Sequence, residues 1–254
     1  MSAWLNRIGC LGLVAATVFC STWAWGAEIE PGKQVEAELR TADGGSISYL
    51  VYVPNNYKPA SDQSAGDTKW PLLFFLHGRG ESNGPLSLVA KWGPPEMVAR
   101  GVSLKYIVVS PQCPRSDNWS SDKQQGLLVQ LLDHIQSTLQ VDPQRVYLAG
   151  LSMGGYGSWK LAAAHPDRFA AVVPICGGGN PADGSKLAQL PIWVWHGDQD
   201  TAVPLQKSTE MVEAIRAAGG TKLRFTTLEH VGHNSWSAAF GSPDLFEWLD
   251  KQHR

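Results

Sequence analysis

The stretch "RVYLAGLSMGGYGSWKLAAAHP", residues 145–166, joins two kinds of segment through one serine. "RVYLA" is a short apolar run of the sort that forms a strand buried on both faces. "GYGSWKLAAAHP" reads as a helix that ends at a proline-linked turn. Between them Gly150, Ser152 and Gly154 form the pattern G-x-S-x-G. Glycines at those positions remove side chains that would collide in a sharp strand-to-helix turn. Such a turn lifts the serine hydroxyl to the rim of a sheet and aims a helix N-terminus, with its partial positive charge, at whatever binds there.

The same alternation continues on both sides. "WPLLFFLHG", "LKYIVVSPQ", "AAVVPICGG" and "LPIWVWHGD" are further continuous apolar runs, and "KLRFTTLE" is a sixth strand candidate with the run already quoted. Helical patterns lie between them. "SDKQQGLLVQLLDHIQSTLQ" puts Leu127, Leu128, Leu131, Leu132 and Ile135 on one face, with a cap at Ser121 or Asp122. "PLQKSTEMVEAIRAAGG" opens on proline and stops at glycine, and "SPDLFEWLDKQ" closes the chain. Ahead of this series, "KQVEAELR" and "GSISYLVYVP" alternate apolar with polar around the turn signal "TADGG", which predicts a half-exposed antiparallel hairpin. "NNYKPASDQSAGDTK" is a polar surface loop. Strand–helix alternation after a hairpin predicts an α/β domain of three layers, with a mostly parallel sheet and right-handed crossovers.

The chain has 254 residues and a formal net charge of −2, with no basic block or stripe. That length suits one large domain, and the charge argues against a nucleic-acid partner. The first residues read as a secretory signal: one positive charge in "MSAWLNR", an apolar run in "IGCLGLVAATVF", and small residues around Gly26 and Ala27. Residues 1–26 are therefore expected to be removed, leaving 27–254 as a single domain in a secreted or periplasmic protein. The run is too short for a comfortable membrane span, so no stable insertion is expected after cleavage. Cys10 and Cys20 would leave with the signal, and Cys113 and Cys176 would remain.

In a wound parallel sheet, ligands bind beyond the carboxyl ends of the strands. Ser152, Asp198, Asp200 and His77 all close apolar runs, and His230 and His233 follow the last one. A serine hydroxyl needs a base to become a nucleophile, and a carboxylate fixes the tautomer of a histidine base. Ser152, Asp200 and His233 stand in the order Ser, Asp, His that goes with G-x-S-x-G. Asp200 is preferred to Asp198, which equally suits a loop-turning role. His233, after Gly232, is preferred to His230, which is expected to be packed. The oxyanion would be met by two backbone amides, Met153 and, in "HGRGE", Arg79, whose amide is preferred to its side chain. His77 and His196 precede glycine at strand ends and are expected to brace loops. Trp119, Trp236, Tyr156 and Trp92 fall near strand-end loops, where they serve either as a substrate wall or as core cover. No metal site is expected, since the chain lacks H-E-x-x-H and paired cysteines, and "GRGESNG" lacks the ending of a phosphate loop.

With these pieces in place the chain resembles the α/β-hydrolases, in particular secreted bacterial esterases of the prolyl-oligopeptidase-like and polyhydroxybutyrate-depolymerase-like group. The matching segments are "LLFFLHGRGE", "VVSPQCP…NW", "VYLAGLSMGGYGSW", "VPICGGG", "VWHGDQDTAVP" and "HVGHNSW". The resemblance implies a serine esterase with Ser152, Asp200 and His233 as its triad and Arg79 and Met153 as oxyanion donors; no cofactor is expected, and aromatic walls would suit a small-molecule ester, aryl or short acyl, or a carbohydrate-linked one. It also implies a strand order that separates Cys113 from Cys176 by two strands, which favours free, packed thiols. Two other readings share the scaffold: a serine peptidase for short peptides, and a binding protein without catalysis. The chain has no segment matching the propeller domain of prolyl oligopeptidases.

Overall fold

The computed structural model describes residues 29–254 apart from positions 63, 65 and 83. The signal segment, its cleavage point, Cys10 and Cys20 lie outside the described residues. The strands in chain order are β1 (Gln34–Arg40), β2 (Ser46–Tyr52), β3 (Trp70–Leu76), β4 (Ile107–Pro111), β5 (Val141–Leu151), β6 (Ala171–Ile175), β7 (Ile192–Gly197) and β8 (Leu223–Leu228). They form one eight-stranded sheet in the order β1-β2-β4-β3-β5-β6-β7-β8. The β1–β2 and β2–β4 pairs are antiparallel, and every pair from β4–β3 to β7–β8 is parallel. The helices are α1 (Gly93–Ala99), α2 (Asp122–Thr138), α3 (Met153–Ala164), α4 (Gly184–Leu187), α5 (Gln206–Ala217), α6 (Trp236–Gly241) and α7 (Pro243–Asp250).

The three layers follow from the period of two in β3. Leu72, Phe74 and Leu76 point to one face, where they join Leu128, Leu131 and Ile135 of α2, Trp159 of α3 and Ile215 of α5. Leu73 and Phe75 point to the other, where they join Phe240 of α6 and Leu245 and Trp248 of α7. Residues of β3 are buried on both sides, so the strand reads as an unbroken apolar run. Each such Leu or Phe contributes about 1.5–3 kcal/mol on burial. Ser121 caps α2, its hydroxyl accepting the Gln124 N–H at 3.2 Å.

One element differs from the sequence expectation. The hairpin is not half exposed along its length, because β2 pairs with β4 and is covered on both faces. Ile47, Tyr49 and Val51 enter the α2 side of the core, and Tyr52 enters the other side, donating its O–H to Leu104 O at 3.0 Å. No element is expected from sequence over the segments that form α1, α4 and α6; in α1, "GPPEMVA", two prolines sit in the first turn, where no intrahelical N–H is required. None of the described helices is long and apolar enough to cross a membrane. Cys113 follows β4 and Cys176 follows β6, with β3 and β5 between those strands, and both thiols are free and buried.

Candidate active site

The sharp turn begins with packing that only glycine allows. A Cβ on Gly154 would lie 2.0 Å from Leu76 O, and one on Gly150 would lie 2.3 Å from Gly154 O. With those side chains absent, β5 runs into α3 through Ser152 alone, held at φ 52° and ψ −115°. A non-glycine residue pays roughly 1–3 kcal/mol for such a conformation. The turn is pinned by the Ser152 N–H, which donates to Ile175 O at 2.9 Å on the neighbouring strand.

Two loops bring partners to Ser152. After β7, the buried Asp200 accepts the N–H groups of Ala202 at 2.9 Å and Val203 at 2.8 Å on Oδ1. Its Oδ2 lies 2.7 Å from His233 Nδ1, and His233 Nε2 lies 2.9 Å from Ser152 Oγ. A carboxylate only accepts, so Nδ1 carries the imidazole proton and Nε2 presents its lone pair to the serine hydroxyl. Burial pushes the Asp200 carboxyl upward, but the bonds from His233, Val203 and Ala202 outweigh it and hold the group below its ordinary value. The Trp236 ring stands edge-on to His233 at 5.3 Å. The alternatives lie elsewhere: Asp198 is exposed, and His230 is exposed rather than packed, at φ 58°, with Nδ1 facing Gln199 Nε2 at 3.2 Å. His230 stays in solvent because β8 ends at Leu228, before it.

On the other side of Ser152, the loop after β3 makes a turn of 3-10 helix over Arg79–Glu81. It lies close, for a Cβ on Gly78 would sit 3.7 Å from Ser152 Cβ. Several side chains hold it. His77 donates from Nδ1 to Gly78 O at 2.6 Å and accepts the Cys113 N–H on Nε2 at 3.0 Å. The Arg79 guanidinium donates to Arg115 O at 3.2 Å and Asp117 O at 2.5 Å, so this side chain clamps the loop, a role the sequence reading did not assign. The carboxylate of Glu81, 4% exposed, accepts the Gly78 N–H at 3.1 Å, and burial pushes its pKa above the ordinary value. Glu81 gave no signal in sequence beyond a charged residue in a loop.

The aromatic residues divide. Trp119 is fully enclosed and donates its indole N–H to His77 O at 3.0 Å. It braces the loop from beneath and does not face a substrate, which corrects the substrate-wall reading for this residue. Tyr156 and Trp236 are half-buried, and Trp92 lies 5.7 Å from Trp236, ring to ring. Tyr156 also borders a cavity of about 350 Å³ with Trp159, Met211 and Gly178. Cys176, Asp200 and His233 bring donor atoms within 4.8 Å of one another. Asp200 and His233 already spend their facing atoms on each other, and burial pushes the Cys176 thiol up to about 12, so it offers no thiolate.

A mostly parallel sheet entered by an antiparallel hairpin, with a serine at its sharp turn and acid and histidine on the following loops, is the architecture of the α/β-hydrolases. The chain belongs to the family described as "Putative esterase", whose model matches residues 42–184. It is similar to poly(3-hydroxyalkanoate) depolymerase C of Paucimonas lemoignei, 26% identical over 245 residues, covering 78% of this chain and 56% of that protein. It is also similar to the bifunctional acetylxylan esterase/xylanase XynS20E of Neocallimastix patriciarum, 28% identical over 174 residues, covering 67% of this chain and 24% of that protein. The chain thus spans about half the length of the first of these relatives and a quarter of the second. Among solved structures it resembles a thermostable esterase with a TM-score of 0.75 and 29% identity, covering 87% of this chain and 63% of that one.

Proposed function

We propose that the protein is a serine esterase that cleaves carboxylic esters through an acyl-enzyme. The observation that carries this reading is His233, whose two ring nitrogens lie 2.9 Å from Ser152 Oγ and 2.7 Å from Asp200 Oδ2. Ser152 Oγ attacks the ester carbonyl while His233 Nε2 takes its proton. The negative charge on the carbonyl oxygen is met by the amides of Met153, at the start of α3, and Arg79. His233 returns the proton to the leaving alcohol, and water then releases the acid by the same route. Asp200, held ionised by its hydrogen bonds, keeps the His233 tautomer and stabilises the imidazolium that forms.

The substrate is a small-molecule or carbohydrate-linked ester, with Tyr156 and Trp236 as the apolar walls beside Ser152. An acetylxylan esterase and a polyester depolymerase among its relatives support that class. Action outside the cytoplasm fits the signal-like residues 1–26. A panel of p-nitrophenyl, acetyl-sugar and feruloyl esters with short peptides, run beside labelling by a fluorophosphonate, tests the reading. Ester turnover and labelling that both vanish in Ser152→Ala are expected. Folded wild-type protein that neither labels nor turns over any ester overturns it, and turnover of peptides alone would make it a peptidase.

A further inference from the structure

We propose that His196 is a positioning residue for Asp200, tying the acid-bearing loop to α5 and, through Ser208, to the first turn of α3. The inference rests on the esterase reading above. His196 is the penultimate residue of β7 and is fully buried, at 0% exposure. Its Nε2 lies 2.8 Å from Val203 O and 3.2 Å from Asp200 Oδ2. Both neighbours only accept, so Nε2 carries a proton. Its Nδ1 lies 2.7 Å from the hydroxyl of Ser208, itself fully buried on α5. Ser208 Oγ in turn lies 3.1 Å from Gly177 O.

Gly177 is the contact with the serine side of the site. A Cβ there would lie 2.6 Å from Gly155 C and 2.7 Å from Tyr156 N, so the two backbones touch. A chain of contacts therefore runs from Asp200 through His196 and Ser208 to Gly177, then to α3 within a turn of Ser152; the one Ser208 hydroxyl proton goes to Nδ1 of the neutral ring, so Ser208 meets Gly177 O as a close contact. A histidine that merely filled core volume would not need polar partners on two separate segments, the loop after β7 and α5. His196 has them, and both acceptors at Nε2 belong to the loop that carries the acid. With Oδ1 held by Ala202 and Val203 and Oδ2 shared between His233 and the His196 side, Asp200 has no free direction in which to rotate.

The test compares His196→Leu, His196→Gln and Ser208→Ala on p-nitrophenyl acetate, with thermal melts as the check on folding. The side-chain amide of glutamine reaches the position of Nε2 and offers an N–H to the same acceptors. His196→Leu should lose about 10- to 100-fold in kcat with KM little changed, the scale of a small misplacement of reacting groups. His196→Gln should recover most of that loss, and Ser208→Ala should fall between. A folded His196→Leu with wild-type kcat, or a folded His196→Gln as impaired as His196→Leu, overturns the proposal. Nitrogen-15 NMR of histidine-labelled wild-type protein reads the tautomer without any variant: His196 should carry its proton on Nε2, and an unprotonated Nε2 contradicts the assignment. Wild-type protein inactive on every ester would sink the esterase reading instead, while the NMR result would still decide the His196 tautomer.

Discussion

The backbone N–H of Cys113 donates to His77 Nε2 at 3.0 Å, so the His77 ring must be neutral in the folded protein. Burial in an apolar surround lowers its pKa from 6.5 to about 4. A histidine whose folded value is depressed supports the fold fully above its unfolded value and loses that support as pH falls. The window is therefore from about 6.5 down to about 4, and the loss is on the order of 3 kcal/mol, at about 1.4 kcal/mol per unit. Denaturant midpoints measured across that window should fall more steeply for wild type than for His77→Gln, which has no charge to acquire. Equal slopes would contradict the account.

Arg79 separates its backbone from its side chain. If the amide meets the oxyanion, Arg79→Ala should keep kcat within roughly tenfold, losing only the clamp on Arg115 O and Asp117 O. Arg79→Pro removes the N–H at the first position of a short helical turn, where proline is tolerated, and Gly78 at φ −82° and ψ −179° suits a following proline. That variant should fold and lose about 10²–10³ in kcat. Steady-state kinetics on one activated ester distinguish the two, and equal losses would remove the amide from the proposed machinery.

Asp200→Asn keeps the shape of the acid but lets the amide favour the wrong His233 tautomer. A drop in kcat of about 10³–10⁴ with retained fold is expected, by analogy with the same exchange in other serine hydrolases. Near-wild-type kcat in a folded Asp200→Asn protein would exclude the carboxylate from the reaction.

Cys113 and Cys176 should be inert. Burial pushes both thiols up to about 12, far from the range of a reactive thiolate. Protein beginning at residue 27 should show no thiol reactive to a disulfide reagent at neutral pH until it is unfolded, and then two. A melting temperature that shifts on adding a reductant would contradict the free-thiol state.

Sequence legibility tracked the physics that produced each feature. The parallel strands could be read because burial on both faces leaves continuous apolar runs, as in "LLFFL" and "VVPI". The turn at Ser152 could be read because close backbone approach at Gly150 and Gly154 excludes any other residue. The burial of β2 could not be read, since it depends on β4 pairing with it from 55 or more residues downstream. Trp119 stood in a polar loop whose local pattern carried no sign of its bond to His77 O. Glu81 and the Asp200 side of His196 were hidden for the same reason: their partners are backbone and side-chain atoms that only the folded chain assembles.

The most direct measurement is kcat on one activated ester for Ser152→Ala, His233→Ala and the double variant, each verified as folded. Groups that act as one unit lose nearly everything with the first removal. Each single variant should therefore fall close to the rate of the double. A Ser152→Ala protein that still turns over, or losses that multiply in the double variant, would contradict a shared proton path from Ser152 to His233.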